Sequence, residues 1–228
     1  MHRCSPRPVQ ALLPVPGHGL LSRTPVTVSQ FEPFVSSGAY ARDAIAVRRH
    51  TGRGPGDDGA RTCPNDWSRQ LRRPSWPVTG VSWYEAAAFA AWLGSRHPAH
   101  RFSLASSSTW EAAADTDSRP YPWGHTPPNG TLLNFDREVG RRTAVTAHPQ
   151  GAGRYGHLGL SGNVWEWCAD RTPSGGTVRG GGWYTSAEYV KNTYRYTFHP
   201  ENRFEDLGFR IQARETHKHT PPASRRNT

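Results

Sequence analysis

No stretch of this 228-residue chain holds the roughly 20 consecutive apolar residues that cross a bilayer. Pro and Gly also interrupt the apolar run from Ala11 to Leu21 that would otherwise suggest a secretory leader. A soluble, cytoplasmic protein with no membrane partner is therefore expected. Cysteine is scarce: Cys4, Cys63 and Cys168 cannot all pair, and their spacing has no CxxC, which argues against a disulfide scaffold or a zinc site. Hydrophobic residues make up only 35% of the chain, too few aliphatics for a helical bundle.

What is present instead is 23 Gly, 20 Pro and 9 Trp, a composition that predicts many turns and a core assembled from a few large aromatics. Net charge is +10, which would ordinarily suggest nucleic acid or another acidic surface. By segment, residues 1–23 contribute +3, residues 42–73 contribute +4 and residues 211–228 contribute +3, while 74–210 carries 13 basic against 12 acidic residues. The basic balance thus falls on the ends and one loop. A nucleic-acid partner is expected only through those tails.

Residues 1–23 read as a disordered tail and 212–228 as a disordered basic tail, leaving one domain over 24–211. Thr24–Tyr40 suggests a short strand, a cap at Ser29 and a helix carrying Phe31, Phe34 and Val35. Residues 42–75 are polar and Gly-rich, and read as an irregular insert or degenerate loop. Ser82 with Glu85 three residues on is a capping box, predicting a helix from Trp83 to Leu93 that ends at Gly94. Ser107–Ala114 predicts a second helix.

In Leu160–Trp167 two Trp flank Glu166, so an extended segment places both rings on one side and the carboxylate on the other. A buried carboxylate requires a partner, either an Arg, backbone amides or a cation. Arg179-Gly180-Gly181-Gly182-Trp183 lacks the Lys-Ser/Thr of a phosphate loop and reads as tight backbone packing. No Ser-His-acid arrangement is evident: Ser161 sits outside a nucleophile elbow, and neither His148 nor His157 has an orienting acid.

Five pieces in order, Pro77–Ala86, Trp110–Ala114, Tyr121–Gly124, Ser161–Asp170 and Arg179–Trp183 closing with Gly208-Phe209-Arg210, resemble the formylglycine-generating-enzyme or sulfatase-modifying-factor domain family. The resemblance implies an α+β, loop-rich fold of C-type-lectin type with few short helices and strands. In the oxidising members two cysteines after the Gly-rich segment bind copper and a substrate cysteine, which oxygen converts to formylglycine. Soft thiolates are what Cu(I) requires. Trp183–Thr197 contains no cysteine, so copper is not expected here and the chain reads as a non-catalytic member. Other relatives hold iron with histidines of an additional helical domain, of which the sequence carries no trace.

Calcium is the cation the resemblance does imply, because family members use carboxylates, Asn and carbonyls. Asn134 with Glu138 resembles one site, and Glu166 with the carbonyls of Gly162 and Val164 resembles the other, weakened by Gly159 where Asn or Asp is usual. Function then reads as binding of an unidentified protein or small molecule. Trp183, Tyr184, Tyr189, Tyr194, Tyr196, Phe198 and His199 are the candidate ligand-binding residues, since Tyr among small polar residues is paratope-like. A subset of the family, the variable proteins of diversity-generating retroelements, displays altered side chains on this segment. The alternative is an oxidase acting on a cysteine of a sulfatase-type substrate.

Overall fold

A computed structural model describes residues 11–40, 62–114 and 118–216. Among the described residues two four-stranded sheets and four α-helices are joined by long irregular connections, an α+β architecture. The first sheet has the order β1-β2-β8-β3 and is antiparallel throughout, built from β1 (Leu12–Val15), β2 (Gly19–Ser22), β3 (His100–Leu104) and β8 (Ile211–Glu215). The second has the order β6-β5-β4-β7, from β4 (Trp165–Thr172), β5 (Gly175–Arg179), β6 (Arg195–Phe198) and β7 (Leu207–Phe209). Within it only β4 and β7 run parallel. No described helix is long and apolar enough to cross a membrane.

Helix α1 spans Val28–Ser36, α2 Trp67–Gln70, α3 Trp83–Arg96 and α4 Ser107–Ala114. The expected capping box at α3 is present, Ser82 Oγ accepting from the Glu85 amide and Glu85 accepting from the Ser82 amide. Gly94 does not stop α3, which continues to Arg96. One Gly in a helix costs only about 1 kcal/mol, which packing outweighs. At α1 the cap is Thr27, not Ser29, and Thr27 makes a single bridge to Pro77 where a strand was expected.

The core is aromatic, as the composition predicted: Phe31 stacks on Phe89 at 5.0 Å, and Phe209 meets both edge-on. Each buried ring stabilises the fold by about 1.5–3 kcal/mol.

The boundaries expected from sequence require correction. Residues 12–22 form a hairpin, in which Pro14 is tolerated because β1 is an edge strand and Pro16-Gly17-His18 make the turn. Leu21 is fully buried, so this segment is core and not tail. At the other end β8 continues to Glu215 between β2 and β3. Of the segment 42–75, residues 62–75 are folded: Gln70 is buried and bonds to the carbonyls of Asn65 and Thr79 and the amide of Thr79. The rest of that segment, residues 1–10 and the end of the basic tail lie outside the described residues.

Candidate recognition site

Glu166 decides how the densest sequence motif is used. Trp165 and Trp167 join the main core, while Glu166 points the other way on β4, fully buried. Arg210, in the step between β7 and β8, donates through Nε and Nη2 to its two oxygens at 2.5 and 2.7 Å, and Trp110 Nε1 adds a bond at 3.0 Å. Arg210 also donates to the carbonyls of Ser22, Leu158 and Gly159. Glu166, a candidate metal ligand from sequence, thus has both oxygens bonded to a guanidinium in a buried ion pair.

Arg179 performs a similar task beneath the candidate ligand-binding segment. It is 1% exposed and donates through Nη1 to the carbonyls of Asn192 and Tyr194 at 3.0 and 3.2 Å, through Nε to Ser107, and through Nη2 to Glu111. The glycines beside it are required by close approach. A Cβ on Gly181 would stand 2.8 Å from Thr185 and Val190, and one on Gly182 would stand 2.0 Å from the Asp206 carboxylate. Backbone bonds from Trp183 to Asn163 and from Arg137 to Trp183 complete the anchoring.

On this frame the structure groups the candidate residues in two places. Tyr189 meets Tyr194 at 5.0 Å, Tyr194 and Phe198 lie on Trp165, and Phe198 contacts Tyr196 and Phe204 at 5.2 and 5.1 Å. Tyr189, Tyr196 and Phe204 are exposed at 37%, 51% and 40%, whereas Tyr194 and Phe198 are half-buried against the core. His199 follows on the exposed side. Trp183 and Tyr184 form a separate edge-on pair with Arg137 over the Tyr184 ring. Burial and the facing Asp206 carboxylate push the Tyr184 hydroxyl up to about 12. Phe204 and the Trp165 floor were missed from sequence, because nothing in the chain order brings residue 204 beside Phe198.

Metal chemistry has a narrow footing. Among the described residues no group of three His, Cys, Asp or Glu is placed to hold an ion. Cys168 is fully buried, and burial pushes its thiol far above the usual cysteine range, opposite to what a copper thiolate needs. Asn134 differs. Its Nδ2 donates to the Arg141 carbonyl and to Asn163 Oδ1, two acceptors that fix the amide orientation, and its buried Oδ1 has no protein donor. That is a donor atom suited to a hard cation. Glu138 is exposed in the turn that follows, its amide bonded to the Phe135 carbonyl.

The sulfatase-modifying factor enzyme 1-like domain matches residues 18–215, nearly the whole folded region. The chain belongs to that family. Among its sulfatase-modifying-factor relatives, hercynine oxygenase of Mycolicibacterium thermoresistibile is 28% identical over 84% of this chain and 50% of its own length. The formylglycine-generating enzyme of Thermomonospora curvata is 32% identical over 62% of this chain and 56% of its own. The chain thus spans about half the length of these curated relatives. Among solved structures, PvdO from Pseudomonas aeruginosa superposes with a TM-score of 0.64 at 21% identity over 86% of this chain and 80% of that one. Treponema denticola variable protein 1 gives 0.62 at 20% over 91% and 92%. These likenesses carry the fold, including its C-type-lectin character.

Proposed function

We propose that this sulfatase-modifying-factor domain is a non-catalytic binding module whose recognition face is the aromatic surface of residues 183–206. The observation that carries the reading is the continuous run of rings from Tyr189 through Tyr194, Trp165 and Phe198 to Tyr196 and Phe204, partly exposed on a backbone pinned by Arg179. Aromatics held rigid before contact give large contact area at low entropic cost. The same segment has no cysteine to bind copper. Likeness to a variable protein fits a segment diversified among sister copies, which forms part of this proposal. So does a calcium ion held by the Asn134 amide oxygen with Glu138.

A phage-displayed peptide library panned on the full chain tests the reading. Peptides enriched on the wild type lose binding to a Tyr189→Ser, Tyr196→Ser, Phe204→Ser variant of unchanged melting temperature. Enrichment that survives these changes, or none at all, removes the surface as the recognition face.

The second reading is a formylglycine-generating oxidase acting on a cysteine of a sulfatase-type substrate, supported by the relatives named formylglycine-generating enzyme and hercynine oxygenase. As a formylglycine-generating oxidase the chain would need a copper site other than a thiolate pair in 183–197.

A further inference from the structure

A cavity of about 400 Å³ opens beside the α2 turn, with Trp183, Arg203 and Glu205 of the 183–206 segment in its wall. Six arginines line it: Arg69, Arg72 and Arg73 from α2 and the turn after it, Arg141 and Arg142 from the connection following Asn134, and Arg203. Only two acids, Asp66 and Glu205, share the lining, so the walls carry a net charge of +4. Arg203 is neutralised by Glu85, its Nε donating to both carboxylate oxygens at 2.9 and 3.2 Å. Arg73 lies over the Trp76 ring at 5.4 Å, and Arg142 donates to the Glu205 carbonyl. Arg69, Arg72 and Arg141 are exposed and have no ion pair with a carboxylate among the described residues.

Arginines gathered around one concavity repel each other, and the repulsion rises where water is partly excluded. Arg142 feels that exclusion, because burial lowers its pKa more than Glu205 and Asp206 raise it. An unliganded cavity of this kind costs stability. The arrangement is favourable when an oxyanion enters, since each guanidinium presents a planar fork to phosphate or carboxylate oxygens. Three or more unneutralised guanidinium groups in a volume suited to a small molecule call for more than one negative group.

We infer that this cavity binds a small ligand carrying at least two oxyanion groups, phosphate or carboxylate, gripped by Arg69, Arg72 and Arg141 with Arg142 at the rear. The cavity adjoins the 183–206 segment through Trp183, Arg203 and Glu205, but the exposed rings of Tyr189, Tyr196 and Phe204 do not line it, so a failure of one assignment leaves the other standing.

Isothermal titration of the full chain with inorganic pyrophosphate, citrate and acetate in low salt tests the inference. Pyrophosphate or citrate binds with an affinity that weakens as salt rises, and acetate binds at least about tenfold more weakly than either. Preference for pyrophosphate assigns a phosphorylated ligand, and preference for citrate a polycarboxylate. The Arg69→Gln, Arg141→Gln double variant loses about tenfold or more in affinity. One control keeps wild-type affinity: Arg101→Gln, which makes the same type of charge change on β3. No binding of either polyanion, or binding indifferent to Arg69→Gln, Arg141→Gln, overturns the inference.

Discussion

Arg210 closes on both oxygens of Glu166 at 2.5 and 2.7 Å, with neither side chain exposed to solvent. This pair ties β4 to the β7–β8 step, and through the carbonyls of Ser22, Leu158 and Gly159 it fastens the N-terminal hairpin as well. Removing one partner strands the other charge in the interior at a cost of about 3–5 kcal/mol. Glu166→Ala therefore lowers the urea midpoint by that equivalent, to the same extent in millimolar calcium and in chelator. A loss seen only when calcium is present, or one below about 1 kcal/mol, would show that Arg210 is not the partner that matters.

Arg179 holds the segment 192–194 from below, so its loss loosens the proposed recognition surface before the core. In Arg179→Lys a single ammonium cannot reach Ser107, Glu111 and two carbonyls together. Hydrogen exchange across 189–196 is expected to quicken by about tenfold or more, with the β4–β5 ladder unchanged. Uniform acceleration across both regions would make Arg179 a general stabiliser and nothing more specific.

Two buried groups titrate in opposite senses. Burial pushes the Asp206 carboxyl up to about 6, and its Oδ2 has no hydrogen-bond partner. The folded protein therefore holds that proton more tightly than the unfolded chain, and the Asp206 contribution to stability falls as pH rises from about 4 to 6. Burial and the Arg210 charge push His157 down to about 4, so its contribution falls as pH drops from about 6.5 to 4. Asp206→Asn removes only the first effect. Relative to wild type the variant gains on the order of 3 kcal/mol at pH 7 and almost nothing at pH 4. Urea unfolding across pH 4–7.5 reads the difference, and a gain independent of pH would contradict the account.

Calcium on Asn134 and Glu138 predicts that millimolar calcium raises the melting temperature of the wild type, and that Glu138→Gln reduces the rise without lowering the melting temperature in chelator. A calcium shift identical in both proteins removes Glu138 from the site.

Local signals in the sequence placed two helices and the Trp165–Trp167 strand, though not the helix ends expected at Gly94 and Ser29. The Ser82–Glu85 box caps its helix, and the Ser107–Ala114 helix opens where Ser106 Oγ accepts from the Thr109 amide. Trp165 and Trp167 flank Glu166 on an extended strand as the alternation required. Features made by long-range pairing were not legible. The Leu12–Ser22 hairpin contains the prolines and glycines that suggest disorder, and only its pairing with β8 and the burial of Leu21 order it. The identity of Glu166's partner depended on Arg210, 44 residues away. Arg69–Arg73 looked like a charged insert until the fold set them opposite Arg141 and Arg142.

On the proposed reading the segment after Gly182 recognises and does not oxidise. Its most direct test incubates the full chain with Cu(I), oxygen and reductant alongside a Cys-X-Pro-X-Arg peptide, and follows the peptide by mass spectrometry. The peptide cysteine is expected to be returned without conversion to formylglycine. Catalytic turnover to formylglycine, lost in Cys168→Ala, would contradict it and place a copper site at the one cysteine of the Trp-Glu-Trp-Cys strand.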